Sequence, residues 1–223
     1  MNALQSFVSG VIWTLTSISC RIDAPDIQKV PHHGPLILAV NHINSLEVPL
    51  LMARLSPRGV IGLTKIETWD NKMMGWLFDL YNAIPIRRGE ADLEAMHRCL
   101  SILTKGEILA VAPEGTRSYD GKLLTGQPGI VVLALHSGAP VLPVAHWGGE
   151  IFPQNIKRLK RTDFHVRVGK PFTLDAKGER PVGKMRQAMV DEIMCQIAAL
   201  MPAEYRGRYA DCESSQQKYI HFL

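Results

Sequence analysis

Cysteine is scarce in this sequence, and its four cysteines stand far apart. Cys20, Cys99, Cys195 and Cys212 form no Cys-x-x-Cys pair, and no histidine lies at metal-ligand spacing from any of them. We therefore expect neither a disulfide scaffold nor a structural zinc. A reducing cytosol is the expected compartment.

A strong excess of either charge is also absent. Lys and Arg total 25 and Asp and Glu total 21, so the net charge is only +4. This near balance argues against a dedicated nucleic-acid binder and against an acidic disordered tail. With 223 residues, 46% of them hydrophobic, the chain is long enough for one domain with a sizeable core.

No charged side chain precedes Arg21. Apolar residues in this stretch recur at three- and four-residue spacings, which predicts a helix with one apolar face. Ser and Thr interrupt the apolar run, which disfavours a membrane-spanning helix, and no basic residue precedes Phe7, which disfavours a secretory signal. We expect residues 1–24 to form a helix associated with a membrane surface; an ordinary amphipathic helix packed on the domain is the open alternative. The apolar positions are Leu4, Phe7, Val8, Val11, Ile12, Leu15 and Ile18.

Short apolar runs alternate with helical patterns through the rest of the chain. This alternation predicts an α/β fold with a mostly parallel central sheet flanked by helices. In such folds the chemistry lies at the carboxyl ends of the strands. We expect a catalytic domain over residues 25–202 and a polar surface extension over 203–223. The predicted strands are 36–40, 60–64, 83–86, 108–112, 141–145 and 164–168; the predicted helices are 48–55, 69–80, 91–105, 127–137 and 182–201.

A histidine and a carboxylate follow the first of these strands, five positions apart: His42 and Glu47. On one ideal helix their side chains would point about 140° apart, so they meet only if His42 lies in a turn before the helix. Pro49 favours this arrangement because proline is tolerated in the first turn of a helix. Glu47 would then orient the imidazole as a general base. The alternatives are a core histidine and a carboxylate that merely favours the helix N-terminus.

Three further segments stand out, and two of them carry groups suited to an anionic ligand. Arg87 and Arg88 end a short strand, and paired guanidinium groups there suit a phosphate. Pro113-Glu-Gly-Thr-Arg-Ser118 forms a tight loop after a strand, in which Gly115 allows close backbone approach and Arg117 adds a cation. Pro143 interrupts a later strand, which by itself indicates only an edge or a bulge. Each segment alone could be an ordinary turn or a solvated charge.

Together and in this order, these segments resemble the four motifs of the glycerolipid acyltransferases, the family of 1-acylglycerol-3-phosphate acyltransferases. His42 and Glu47 resemble the His-x4-Asp block, with Glu in place of the usual Asp. Pro113-Glu-Gly-Thr-Arg-Ser118 is similar to the third block almost letter for letter. Residues 84–89 and Val141-Leu-Pro143 resemble the second and fourth blocks, and the likeness covers about residues 34–146.

The resemblance implies an enzyme of phospholipid biosynthesis that moves an acyl group from acyl-CoA or acyl carrier protein to a lipid hydroxyl, without a cofactor or metal. It would work at the cytoplasmic face of a membrane as a peripheral or monotopic protein. We expect Glu114 to hold its loop or an acceptor hydroxyl and not the phosphate. A thioesterase that uses the same pair, or a non-catalytic lipid-binding module, stays open. The expected catalytic residues are His42 and Glu47, and the expected substrate-binding residues are Arg87, Arg88, Glu114, Gly115, Thr116 and Arg117.

Overall fold

The computed structural model describes residues 2–87, 89, 92–212 and 217–223. Within these ranges the chain forms a nine-stranded sheet and seven α-helices. The strands are β1 (Cys20–Asp23), β2 (Leu36–Val40), β3 (Val60–Lys65), β4 (Ile84–Ile86), β5 (Ile108–Val111), β6 (Val141–Trp147), β7 (Thr162–Val168), β8 (Phe172–Leu174) and β9 (Ile220–Phe222). The helices are α1 (Ala3–Ser19), α2 (Glu47–Leu55), α3 (Lys72–Leu80), α4 (Leu93–Thr104), α5 (Gly129–Ser137), α6 (Phe152–Lys157) and α7 (Gly183–Ala199).

The main path of the sheet runs β1-β7-β6-β2-β5-β3-β4, with β8 and β9 paired beside β6. Strands β6, β2, β5, β3 and β4 are parallel to one another, whereas β7 runs antiparallel to β6 and β1 runs parallel to β7. The predicted α/β fold with a mostly parallel sheet is therefore confirmed. The parallel strands all end at one edge of the sheet, and we call this edge the carboxyl end of the sheet. These strands are β2, β3, β4, β5 and β6.

Buried side chains cover both faces of the sheet. Along β2, Ile37 and Ala39 join the core formed with α4, α5 and α7, while Leu36 and Leu38 join the opposite core formed with α2. This alternation follows from the two-residue period of a strand. Because both faces are buried, the central strands read as continuous apolar runs.

Polar residues of α1 make hydrogen bonds that attach the helix to the domain. Ser9 is buried and its hydroxyl hydrogen-bonds the Tyr81 hydroxyl at 2.7 Å, and Gln5 Nε2 donates to the carbonyl of Leu80 at 2.7 Å. Most of the predicted apolar positions are exposed, with Phe7 70% and Ile18 67% exposed, whereas Val8 and Ile12 are partly buried. The predicted apolar face is therefore mostly exposed to solvent, and a membrane role for this helix stays a prediction. Among the described residues, no helix is both long and apolar enough to span a membrane.

The C-terminal segment differs from the predicted surface extension over 203–223. Strand β9 pairs with β8, and Tyr209, Tyr219 and Ile220 are buried in the core. The Leu123 amide donates to the carbonyl of Tyr205 at 3.0 Å, so this segment also braces the loop before α5. Its scattered aromatic residues supply this burial, which local polarity does not reveal.

Cysteine pairing also departs from expectation. Cys195 in α7 and Cys212 form a disulfide across a sequence separation of 17 residues. Their Cα atoms lie 5.5 Å apart because the C-terminal segment packs against α7. Cys20 and Cys99 are free and buried, and Cys20 opens β1 instead of lying in a helix.

Pro143 lies in a central strand and not at an edge. It pairs with Ala39 of β2 on one side, and on the other its carbonyl accepts from the Gly169 amide at 2.9 Å, just beyond the end of β7. In a strand the amide and carbonyl of one residue point the same way, so the missing amide of proline faces the place where β7 has ended. The one bond that proline forgoes would have gone to the Gly169 carbonyl, just beyond the end of β7.

Candidate active site

The turn between β2 and α2 brings His42 and Glu47 together. Helix α2 begins at Glu47, one residue before the predicted span of 48–55, and Pro49 lies in its first turn. The Nδ1 atom of His42 hydrogen-bonds Oε1 of Glu47, and the second oxygen, Oε2, accepts from the Asn44 amide at 3.1 Å. The Glu47 side chain is 3% exposed and the His42 side chain 12%. Glutamate therefore reaches the histidine from the position where the family usually has aspartate.

The protonation of this pair follows from its surroundings. Burial acts to raise the pKa of Glu47, but the hydrogen bond with His42 and the other favourable contacts outweigh it, so the pKa lies below its ordinary value. An ionised carboxylate only accepts hydrogen bonds, so Nδ1 of His42 carries the proton. The lone pair of Nε2 is then available to accept a proton from a hydroxyl.

Asn44 supports the turn, and sequence reasoning missed it. Its Oδ1 accepts from the Leu46 amide at 2.8 Å, and its Nδ2 donates to the carbonyl of Gly149 at 2.6 Å. The first bond is the local turn that Asn commonly forms before a helix. This signal was visible in the sequence, whereas the contact with the segment after β6 was not.

Asn41 and His146 join the ends of β2 and β6, and sequence reasoning missed their pairing. The Asn41 side chain donates to the carbonyl of His146 at 2.9 Å and accepts from its amide at 2.8 Å. Nε2 of the buried His146 donates to the Asn41 carbonyl at 2.7 Å, and its ring stacks on Phe164 with centroids 5.4 Å apart. Burial lowers the pKa of His146, which keeps it neutral. These bonds hold the backbone that leads into His42.

Glu114 ties the loop after β5 to the histidine. Its Oε1 accepts from the His42 amide at 2.8 Å and its Oε2 from the Leu124 amide at 2.8 Å. Burial raises the pKa of Glu114 to about 7. Since both oxygens are occupied by backbone donors, Glu114 holds the loop, as expected from the sequence. A direct contact with substrate stays a prediction.

The rest of this loop lies beside His42. The Ser118 amide donates to the carbonyl of His42 at 2.9 Å. Gly115 has φ +68°, a conformation that favours glycine, and it is exposed together with Thr116. The backbone at this loop tip is therefore open to a ligand that reaches His42.

The candidate phosphate-binding arginines differ in position. Arg117 is half-buried in the loop after β5, the strand next to β2, and its guanidinium makes no hydrogen bond or ion pair with the described part of the chain. Arg87 is exposed beyond β4, three strand spacings from β2, or about 14 Å. The Arg87 amide donates to Oδ2 of Asp92 at 2.9 Å. Arg88 lies outside the described residues.

Comparison with known proteins gives the same family. Its model, Acyltransferase, matches residues 21–147. A 1-acyl-sn-glycerol-3-phosphate acyltransferase of Limnanthes douglasii is 35% identical over 178 residues, which cover 78% of this chain and 62% of that protein. The protein of that name from Pseudomonas aeruginosa is 25% identical over 204 residues, covering 88% of this chain and 78% of its own.

Two further matches concern a longer relative and a solved structure. A chloroplastic 1-acyl-sn-glycerol-3-phosphate acyltransferase of Brassica napus is 27% identical over 197 residues, 85% of this chain. The match spans 54% of that protein, about half of its length. The crystal structure of the 1-acyl-sn-glycerophosphate acyltransferase PlsC from Thermotoga maritima has a TM-score of 0.67 and 20% identity, covering 96% of this chain and 82% of that chain. This last likeness shows a shared fold.

The matched residues 21–147 run from β1 through β6 and include His42, Glu47 and the loop that holds Glu114 and Arg117. They make up more than half of the chain. The chain therefore belongs to the Acyltransferase family.

Proposed function

We propose that this chain transfers a fatty acyl group from a thioester donor, acyl-CoA or acyl carrier protein, to the hydroxyl of a lysophosphatidate-like acceptor in phospholipid biosynthesis. The observation that supports this proposal most is the His42 imidazole, whose Nδ1 is held by the buried Glu47 while Nε2 stays available. The names of the relatives support a glycerolipid acceptor.

In the proposed reaction, Nε2 of His42 accepts the proton of the acceptor hydroxyl as that oxygen attacks the thioester carbonyl carbon. Glu47 orients the ring and stabilises the imidazolium that forms. The C–S bond then breaks, and the imidazolium returns its proton to the leaving thiolate. Atoms and charge balance without a covalent enzyme intermediate, in agreement with the absence of a Gly-x-Ser-x-Gly sequence.

The acceptor phosphate is proposed to bind at the arginines. Arg117 is the leading candidate because its loop contacts the His42 backbone and its guanidinium is uncommitted among the described residues. A guanidinium matches phosphate oxygens in pairs of hydrogen bonds. Arg87, and Arg88 by its sequence position, would contact a phosphate or headgroup farther from the reacting hydroxyl.

The proposed site of action is the cytoplasmic face of a membrane, where the enzyme would be peripheral or monotopic. The outward apolar face of α1 supports this because a lysolipid acceptor is itself held in the bilayer. The donor and the lipid acceptor are the proposed partners.

The decisive experiment is a matrix of donors against acceptors, measured with the wild type and with His42→Ala. Acyl-CoA and acyl carrier protein would be combined with lysophosphatidate, other lysophospholipids, glycerol phosphate and no acceptor. We expect acyl transfer to a phosphorylated acceptor that depends on His42. His97→Ala, which alters an exposed histidine of α4, is the matched control and should keep activity.

Two outcomes would contradict the proposal. Equal release of free fatty acid with and without acceptor would indicate a thioesterase. Lipid binding without turnover of any donor, in a correctly folded wild type, would indicate a non-catalytic module.

A further inference from the structure

The last residues of α6 and the turn before β7, residues 156–161, combine cations with a protruding apolar side chain. Leu159 is 94% exposed, the highest value of any large hydrophobic residue that the structure describes. Ile156, near the end of α6, and Ile151, just before its start, are also exposed. Lys157, Arg158 and Lys160 surround the tip. We call residues 156–161 the basic turn.

Leu159 is held outward by the backbone. Its φ is +52°, a conformation that favours glycine or asparagine and disfavours leucine. The Lys160 amide donates to the carbonyl of Asn155 at 2.9 Å, and the Asn155 side chain donates to Thr162 Oγ1 at 3.1 Å, so the turn is hydrogen-bonded. Leu159 therefore contributes no buried apolar surface to the stability of the fold, although its backbone conformation is unfavourable for leucine.

The three cationic side chains next to Leu159 do not bond to any other part of the chain that the structure describes. The side chains of Lys157, Arg158 and Lys160 are exposed and make no hydrogen bond or ion pair there. Arg161 behaves differently, since its guanidinium donates to the carbonyls of Ser17 at 2.8 Å and Cys20 at 2.5 Å. Arg161 therefore fastens the basic turn to the end of α1, beside the exposed Ile18.

The basic turn also lies at the carboxyl end of the sheet. In the antiparallel pair of β6 and β7, Trp147 lies opposite His165. The first residue of β7, Thr162, is three residues farther out, about 10 Å beyond the end of β6. The turn before Thr162 thus projects from the same end of the sheet as His42.

We infer that the basic turn is a second membrane-contact element, in which Leu159 inserts between lipids while Lys157, Arg158 and Lys160 bind anionic headgroups. The inference deepens the proposed function, because it assumes a bilayer-held acceptor. An anionic bilayer is the occupant that fits, since it presents negative headgroups above an apolar interior. The turn is continuous with the outward face of α1 through Arg161. Contact at both places would set the end of the sheet that carries His42 against the lipid surface.

The test measures flotation with vesicles of phosphatidylcholine alone and of phosphatidylcholine with equimolar phosphatidylglycerol. The variant Lys157→Gln/Arg158→Gln/Lys160→Gln should bind the anionic vesicles about 100-fold more weakly at low salt, since each cation near such a surface contributes roughly fivefold. Its binding to phosphatidylcholine alone should be unchanged. Leu159→Asn should weaken binding to both vesicles by about tenfold, and asparagine tolerates this backbone conformation, so the fold is kept.

The chain offers matched controls at the opposite end of the sheet. Lys177→Gln/Arg180→Gln/Lys184→Gln removes the same charge from an exposed segment that follows β8, which pairs with the first residue of β6. Val182→Asn removes an exposed apolar side chain there. Both controls should bind vesicles as the wild type does.

Several results would overturn the inference. One is that the basic-turn variants bind vesicles as tightly as the wild type. Another is that the control variants lose as much vesicle binding as the basic-turn variants. The third is that the wild type binds neither kind of vesicle. A raised KM for acyl carrier protein with unchanged vesicle binding would assign the turn to an acidic protein instead. Transfer to a dispersed short-chain acceptor is measured in parallel. Its absence in a wild type that binds vesicles would refute the proposed function and leave the membrane contact standing.

Discussion

Two regions of this molecule reverse the usual placement of side chains. At the carboxyl end of the sheet, polar groups are buried: Asn41, Glu47, Glu114 and His146. On α1, large apolar groups are exposed and the buried residues are Ser9 and Thr16.

The two reversals differ in where their partners lie. The buried groups at the carboxyl end are hydrogen-bonded by other parts of the chain, as Glu114 is by His42 and Leu124. The exposed side chains of α1, such as Phe7 and Ile18, point away from the domain. Internal partners hold a reactive group in one geometry, whereas an outward apolar face is stabilised only by something outside the chain. The first region therefore indicates chemistry and the second a surface.

The largest expected effect is that of His42→Ala on the first region. We expect kcat to fall by about 10²–10⁴-fold, the contribution of a general base. Tm should fall only modestly, because the buried Glu47 loses the hydrogen bond from His42 but keeps the one from the Asn44 amide. Both kcat and Tm are measured on the same preparation. Early melting with turnover kept in the folded fraction would show that the histidine is structural.

A smaller loss is expected from Glu47→Gln, which keeps the shape of the side chain and removes its charge. We expect kcat to fall by about 10²-fold, because a neutral amide does not stabilise the imidazolium and can select the wrong tautomer. Glu47→Asp keeps the charge with a shorter reach and should lose less. Equal losses of kcat in both variants would mean that the length of the side chain matters more than its charge. Full activity in Glu47→Gln would refute the catalytic role of the His42–Glu47 pair.

The second region is tested by Phe7→Ser/Leu15→Ser/Ile18→Ser, which changes only the outward face of α1. Binding to neutral vesicles should fall by about 10²-fold or more, because each large apolar side chain contributes well over 1 kcal/mol when buried. The bond between Ser9 and Tyr81 is kept, so Tm should stay near that of the wild type. Leu93→Ser, at another exposed leucine, is the control. Unaltered flotation would leave this face without a membrane role.

The smallest effect on catalysis is expected for Arg117→Ala, in the loop after β5. Loss of a charged hydrogen bond to phosphate should raise the KM for a phosphorylated acceptor by about tenfold, with little change in the KM for the thioester. Arg87→Ala should have a weaker effect because β4 lies farther from His42. Arg180→Ala is the control at an exposed arginine. An unchanged acceptor KM in Arg117→Ala would move the phosphate site elsewhere.

Much of the site could be predicted because its parts are close in the chain. An apolar run predicts strand β2, and the position of Pro49 predicts where α2 starts. The distance that the Glu47 side chain can span predicts the turn that contains His42. The bonds between Asn41 and His146 could not be predicted, since they join residues 105 positions apart. The short strands β1, β8 and β9 were missed for the same reason, because each is defined by its neighbour and not by its own sequence.

The sequence by itself determined that most residues before Arg21 form a helix with one apolar face and that His42 lies in a turn before a helix. Both follow from local features, which are the spacing of apolar residues and the reach of a side chain. Only the tertiary structure decided which face of α1 points outward, that Glu114 spans two loops, and that the C-terminal segment is core. Hydrophobic periodicity reveals that a helix has an apolar side. Burial depends on which side the rest of the chain packs against, and here Tyr81 packs against Ser9 on the polar side.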